Sequence, residues 1–388
     1  MALACGAQDW PGWRGPGRDG VVTATLPKAW PEQLKQVWKV TVGEGHSSPV
    51  VVGGRVYQFA RQQDNEVVAA FDLATGKPLW QDSYAAPYEM NSAARRHGKG
   101  PKSTPLVSGG RLYTFGIHGI LSSYDAATGK LRWRKDFKSS PLYGAAASPL
   151  GDRGMMILHV GGDGGGALTA FDGETGAVKW EWKGDGPSYA SPVIVEIGGT
   201  RQVVTQSERN IIGVEAATGQ LLWKIPFTTP FVQNIVTPLV VKDVLIFSGL
   251  RNPAMGVRLS KQGNQWTAEK LWETSEATMY MNSPVASGET VFGMTNRNRG
   301  QFFALEARTG KMLWTGEERQ GDNAAMLITG DTVLALTTDA VLIVSRAGAK
   351  GLETIRKYTV ADSPTWAHPV VTAQGILIKD ATALALVK

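Results

Sequence analysis

Short runs of alternating apolar and polar residues recur along the whole chain, each closed by a turn rich in glycine. Arg55-Val56-Tyr57-Gln58-Phe59 is one such run, and Val67-Val68-Ala69-Ala70-Phe71 is the next, leading into Asp72. A period of two, interrupted by turn formers, predicts short antiparallel strands, and no stretch shows the 3.6-residue period of a helix. Two markers punctuate the strands. One is Thr-Gly followed by Trp four residues after the Gly: Thr75-Gly76 with Trp80, Thr128-Gly129 with Trp133, Thr175-Gly176 with Trp180, Thr218-Gly219 with Trp223, Thr309-Gly310 with Trp314. Trp272 falls in the gap, after a diverged turn at Lys261-Gln262-Gly263-Asn264. The other marker is Ser48-Pro49, Thr104-Pro105, Ser148-Pro149, Ser191-Pro192, Thr237-Pro238 and Ser283-Pro284, with His368-Pro369 as a variant.

The tryptophans recur about every fifty residues, the period of a propeller blade and too long for leucine-rich or ankyrin repeats. Each unit offers four strands. The Asp of Asp-x-x-Thr-Gly can bond the turn backbone while the Gly takes a positive φ. Seven complete units begin near Ser48, Ser103, Ala147, Ala190, Val236, Asn282 and Ala324, the seventh carrying Tyr358 where Trp is expected. Residues 367–388 supply only three strands. The missing fourth is Val37-Trp38-Lys39-Val40, so the ends of the chain pair and close the ring, which removes the open edges. The expectation is an all-β, single eight-bladed β-propeller with four antiparallel strands per blade. Trp38, Trp80, Trp133, Trp180, Trp223, Trp272 and Trp314 are expected to dock blade on blade. Residues 36–388 form the propeller. Residues 9–35, with the turn-rich Asp9-Trp10-Pro11-Gly12-Trp13-Arg14-Gly15-Pro16, are expected to run as an extended arm over its surface.

Composition adds less. Of 388 residues, 43% are hydrophobic and 19% charged, an ordinary globular balance that excludes disorder. No run is long and apolar enough for a membrane helix. Cys5 is the single cysteine, so no internal disulfide can form. Residues 1–8 read as a signal-peptide or cloning remnant: Ala2-Leu3-Ala4 has the small-x-small form of a signal-peptidase site. Cys5 after it would suit lipidation, the one route to membrane attachment foreseen here. A periplasmic or secreted monomer is expected.

Chemistry should sit where loops converge on the axis. In a propeller of this strand order the links between blades share a face with the loops between second and third strands, and the Thr-Gly turns lie opposite. Links carry His46, Lys102, Tyr143, Tyr189, Gln233, Asn234, Tyr280, Asn282, Asn323 and Trp366. The other loops carry His118, Arg209, Arg251, Asn296 and Arg297, together with Asp163, Glu208, Asn210, Asn252 and Arg299. Aromatic, amide and basic groups on a rigid scaffold suit ligand binding, although amides also satisfy turn backbones. The link from Ser83 to Ser103 is the longest. It holds Arg95-Arg96-His97-Gly98-Lys99-Gly100-Pro101-Lys102, where cations beside glycines could wrap a carboxylate or phosphate; a solvated basic loop is the alternative. A net charge of +6 agrees with an anionic ligand. No basic stripe with stacking aromatics points to nucleic acid. His46, His118 and His368 could converge, but the five histidines show no metal-ligand spacing, and no metal site is predicted. His159 lies in a strand and is expected to be packed, and Gly161 to Gly166 to form a hairpin.

The Thr-Gly-x-x-x-Trp units opening with Ser-Pro resemble the repeats of quinoprotein dehydrogenases, which use pyrroloquinoline quinone. They are equally similar to the propeller lipoprotein of the outer-membrane barrel-assembly machine. The resemblance runs from about Val37 to Lys388, and the Asp-Trp-Pro-x-Trp-Arg-Gly-Pro opening is similar to that of exported PQQ-like propellers. From the first group it implies a quinone with calcium, an adjacent Cys-Cys pair over the quinone and an aspartate base. This chain has one cysteine, and no segment matches the acidic calcium motif. The reading that follows is a non-catalytic exported propeller, with no cofactor, that binds a protein, an anionic small molecule or a glycan on the loop face. Two alternatives remain: a PQQ-dependent oxidoreductase of minimal form with calcium, and a lyase or hydrolase acting in the funnel. Were the chain an enzyme, the resemblance favours the quinone-dependent dehydrogenase.

Overall fold

The computed structural model describes residues 9–27, 29–263 and 265–388. Cys5, the Ala2-Leu3-Ala4 motif and Asn264 of the diverged turn lie outside the described residues. Eight four-stranded antiparallel sheets form an eight-bladed propeller. Seven blades run in chain order, spanning 50–85, 106–136, 150–182, 193–226, 239–274, 285–315 and 324–359. The eighth joins Val370–Thr372, Gly375–Lys379 and Ala383–Val387 to the N-terminal strand Gln36–Thr41, with Trp38 opposite Leu386 and Lys39 opposite Ala385.

The Thr-Gly turn has a two-fold rationale. In the first blade Asp72 Oδ1 accepts from the Thr75 amide (2.9 Å) and hydroxyl (2.7 Å), and Gly76 N–H closes the turn on the Asp72 carbonyl. Gly76 has φ +68°, which a side chain resists. A Cβ there would also lie 2.7 Å from the Trp38 ring of the preceding blade. The same meeting recurs between Gly129 and Trp80, Gly176 and Trp133, Gly219 and Trp180, and Gly310 and Trp272. Each indole N–H then bonds a carbonyl of the next blade, as Trp38 to Leu73, Trp180 to Ala216 and Trp272 to Ala307. Trp223 departs, because the fifth blade has no Thr-Gly turn to receive it: its N–H bonds Gln202 Oε1 within its own sheet, at 2.7 Å. Tyr358, in the Trp position of the seventh blade, reaches Pro31 of the N-terminal segment instead.

The Ser/Thr-Pro marker is a belt around the axis. The Ser48 amide donates to Thr104 Oγ1, Thr104 to Ser148 Oγ, Ser148 to Ser191 Oγ, and Thr237 to Ser283 Oγ. The His368 amide closes the join on Ser48 Oγ, at 2.8 Å. Each hydroxyl thus ties its blade to the one before it.

Residues 9–24 do not run over the surface as the turn-rich composition suggested; they fill the central channel. The innermost strand of every blade turns an unpaired edge to the axis, and such an edge needs cover. Trp10 pairs with Val51, the Val107 amide donates to Pro11 O, and Gly20 and Val22 bracket Ile328. Gly15, at φ +84°, lets the segment fold back tightly on the Trp10 ring. Trp10, Arg14 and Arg18 are only 1%, 0% and 6% exposed, which places them inside the ring rather than on it. The Arg18 guanidinium donates to the Ser148 and Pro149 carbonyls (3.0 and 2.8 Å), and that of Arg14 to Pro284 O.

Candidate functional site

A cavity of about 200 Å³ opens above the plug, on the face away from the Thr-Gly turns. Every blade contributes, and in each case through the link that enters its innermost strand. The first four links bring His46, Lys102, Tyr143 and Tyr189; the others bring Gln233, Tyr280, Asn323 and Trp366. His97, from the long link, together with His368, Ser191 and Ser283, adds further polar groups to the lining. The geometry explains this selectivity: a link overhangs the axis because its last residues lead into the innermost strand. The loops between second and third strands lie at larger radius. His118, Arg209, Arg251, Asn296 and Arg297 are therefore not in the cavity. His118 stands beside Tyr88, with ring centroids 5.9 Å apart. The Arg209 amide anchors on the Asp185 carboxylate at 2.8 Å, and Arg297 reaches the Ser275 carbonyl.

Asn234 and Asn282 lie on the links but face inward. Asn234 Nδ2 donates to Ser207 O (2.8 Å) and Phe227 O (3.1 Å). Asn282 donates to Ala324 O and accepts from the Met294 amide. Both hold loops together. His159 is packed, its Nε2 at 3.0 Å from the Asp185 carbonyl. Met155–Gly162 and Gly165–Asp172 form the hairpin expected from their glycines.

The long link is not a smooth cradle. Ser92–His97 forms a short 3-10 helix, with Asn91 Oδ1 accepting from the Ala93 amide at its start. This turn sets His97 into the cavity and Arg96 on its rim. Arg96 lies over the Trp366 ring at 5.6 Å and pairs with Asp322 at 3.4 Å. Arg95 and Lys99 point to solvent. Two residues, one in the floor and one behind the lining, carried no sequence signal. Trp13, at the tip of the plug, donates to Thr237 Oγ1 (3.0 Å) and stacks edge-on to His368 at 4.5 Å. Lys379, buried behind His46, donates to the Gly45, Asp380 and Ala381 carbonyls.

The electrostatics follow from burial among cations. Burial first, then the fields of His97, Lys102 and Lys379, hold His46 down to about 3. His97 is lowered to about 4 by burial, Lys102 and Arg96, and His368 to about 3 by burial and Arg14. All three imidazoles are neutral near pH 7. Burial lowers Lys102 to about 8 and pushes the Tyr189 hydroxyl up. The Lys102 ammonium donates to the Tyr143 carbonyl at 2.6 Å and has no carboxylate partner among the described residues. His46 Nε2, His368 Nδ1 and Gln233 Oε1 are buried atoms without a partner. Neutral imidazoles, amides and one cation can bind and orient a ligand.

Calcium takes six to eight oxygen ligands, carboxylates prominent among them. This lining holds no carboxylate, and among the described residues no group of three or more His, Cys, Asp or Glu is placed to hold a metal. His46 and His368 share the cavity, but His118 does not. The residues do not fit a quinone held with calcium. A second cavity, about 430 Å³, lies on the opposite face, lined by apolar groups such as Leu26, Trp30 and Ile376. It gathers no comparable set of polar groups.

A family model described as "Outer membrane protein assembly factor BamB" matches residues 28–96 and 64–316. A protein of that name from Shewanella oneidensis is 24% identical over 264 residues, covering 64% of this chain and 65% of the relative. The chain spans about half to just under two thirds of the length of the curated relatives it matches. Among solved structures, BamB from Moraxella catarrhalis superposes with TM-score 0.65 at 16% identity, covering 92% of this chain and 97% of that one. Quinohemoprotein alcohol dehydrogenase from Comamonas testosteroni gives TM-score 0.67 at 15% identity, with 98% and 80% covered. At these identities the structures share the fold.

Proposed function

We propose, for a chain that belongs to the family described as outer membrane protein assembly factor BamB, a role as a non-catalytic envelope scaffold that takes a protein partner or an anionic ligand on its loop face. The observation that carries this is the convergence of all eight links on one aromatic and cationic cavity without a carboxylate. The relatives' name, an assembly factor of the outer membrane, supports a protein partner and a periplasmic location. The plug supports the choice of face, since it occupies the channel and leaves the cavity open only toward the loops.

The test is capture of a purified or identified partner from an envelope fraction by wild type and by charge reversals on each face. Arg96→Glu with Arg297→Glu alters the loop face; Lys179→Glu alters the turn face. Loss of the partner with the first pair alone is expected. Retention by both, or loss with the turn-face variant alone, overturns the reading. Addition of pyrroloquinoline quinone and calcium should produce no dye reduction; turnover would replace the scaffold with an oxidoreductase.

A further inference from the structure

We propose that the funnel is a blind-ended site for a single carboxylated sugar ring, a hexuronate or the acidic terminal unit of a glycan. The inference rests on the loop-face reading above and names its ligand class. Three properties of the cavity lead there.

The first is size. Drug-sized ligands occupy pockets of roughly 300–1,000 Å³. About 200 Å³, closed below by Trp13, admits one ring. The second is charge. Lys102 supplies one buried ammonium whose only hydrogen bond among the described residues is to a carbonyl, so it can still donate to an incoming oxygen. With no acid in the lining to neutralise it, one carboxylate is the matching group. The third is the mixture of faces and polar edges. Trp366, Tyr280 and Tyr189 offer aromatic walls. His46, His368 and Gln233 belong to the same lining, and their Nε2, Nδ1 and Oε1 atoms are buried without a partner, which is costly. Ser191 and Ser283 each accept a belt amide through Oγ, which leaves their O–H groups to donate. A flat aromatic acid presents polar atoms only at its carboxyl end. A sugar ring carries hydroxyls around its whole edge and C–H groups on its faces, and so answers both the walls and the dispersed polar atoms.

The experiment is titration calorimetry with D-galacturonate, galactose, benzoate and acetate. Saturable binding of galacturonate is expected, with each of the other three at least tenfold weaker. Lys102→Met should weaken galacturonate at least tenfold, and Lys102→Arg should retain most of it. Trp366→Ala provides a second variant from another blade. Failure of wild type to bind galacturonate, or equal binding of galactose or of benzoate, overturns the proposal without any variant. If galacturonate fails while Arg96→Glu with Arg297→Glu still abolishes partner capture, the ligand class falls and the scaffold reading stands. If galacturonate binds and capture is indifferent to the loop face, the reverse holds.

Discussion

Replacing Gly310 by Ala should destabilise the propeller far more than the same change at Gly288, although both belong to the sixth blade and both have positive φ. Gly310 has φ +68° and Gly288 φ +59°, so each substitution carries a left-handed backbone strain of roughly 1–2 kcal/mol. Gly288 has open space around the new methyl. At Gly310 the Cβ would sit 2.4 Å from Trp272 Cδ2 and 2.6 Å from Cε3. The indole cannot simply withdraw: it is 8% exposed, and its N–H is fixed on the Ala307 carbonyl at 2.8 Å. Overpacking of this kind adds roughly 1–3 kcal/mol. Gly288→Ala should therefore lose about 1–2 kcal/mol, and Gly310→Ala about 2–5 kcal/mol. Urea denaturation followed by far-UV circular dichroism reads both. A Trp272→Ala background completes the cycle: with the ring gone, Gly310→Ala should fall to the level of Gly288→Ala, a coupling of about 1–3 kcal/mol. Equal losses at the two glycines, or additivity with Trp272→Ala, would refute the claim that the Thr-Gly turn is a docking surface for its neighbour's indole.

Acid should weaken the fold through the funnel. His46, His97 and His368 are held at about 3, 4 and 3, below the unfolded value near 6.5. As pH falls from 6.5 toward 4 the unfolded chain gains protons that the native site refuses, so stability drops by up to about 1.4 kcal/mol per pH unit for each. His368→Gln should flatten the slope of denaturation midpoint against pH between 6.5 and 4.5; an unchanged slope would exclude that histidine. Arg18→Ala removes the donors to Ser148 O and Pro149 O inside the channel, and should lose about 2–4 kcal/mol in the same denaturation assay. A loss below about 0.5 kcal/mol, normal for a surface change, would mean that the plug is not packed in solution.

The blades were legible because they are written locally. Period-two strands, an Asp and a Thr at fixed offsets from Gly, and Trp four residues later all act within one turn and its neighbour. The ring closure was legible for the same reason, since Val37-Trp38-Lys39-Val40 repeats the pattern of every fourth strand. The candidate site was only partly legible. Strand order told which residues share a face, and so His46, Lys102, Tyr280 and Trp366 could be named. It did not encode radius, and so Arg209 and Arg251 were named alongside them. Nor does order say which way an amide points: Asn234 sits one residue from Gln233, yet satisfies three backbone carbonyls beneath the loop. Trp13 had no repeat to announce it. Its place depends on contacts with the fifth and eighth blades, more than 200 residues away in sequence.

The plug changes how the axis should be viewed. A ring of eight innermost strands leaves unpaired backbone groups along a channel, and no single blade's sequence can satisfy them. The N-terminal residues do so twice over: residues 36–41 close the ring sideways through the eighth sheet, and residues 9–24 close it along the axis. The buried arginines fit that task. At about 10 and 9, Arg14 and Arg18 remain charged at neutral pH despite burial, and they donate to carbonyls at the entry to the sixth and third blades respectively. Of the belt hydroxyls, those of Ser191 and Ser283 both accept a backbone amide and belong to the cavity lining. Axial closure by residues 9–24 thus leaves the candidate cavity, floored by Trp13, on the loop side of the plug.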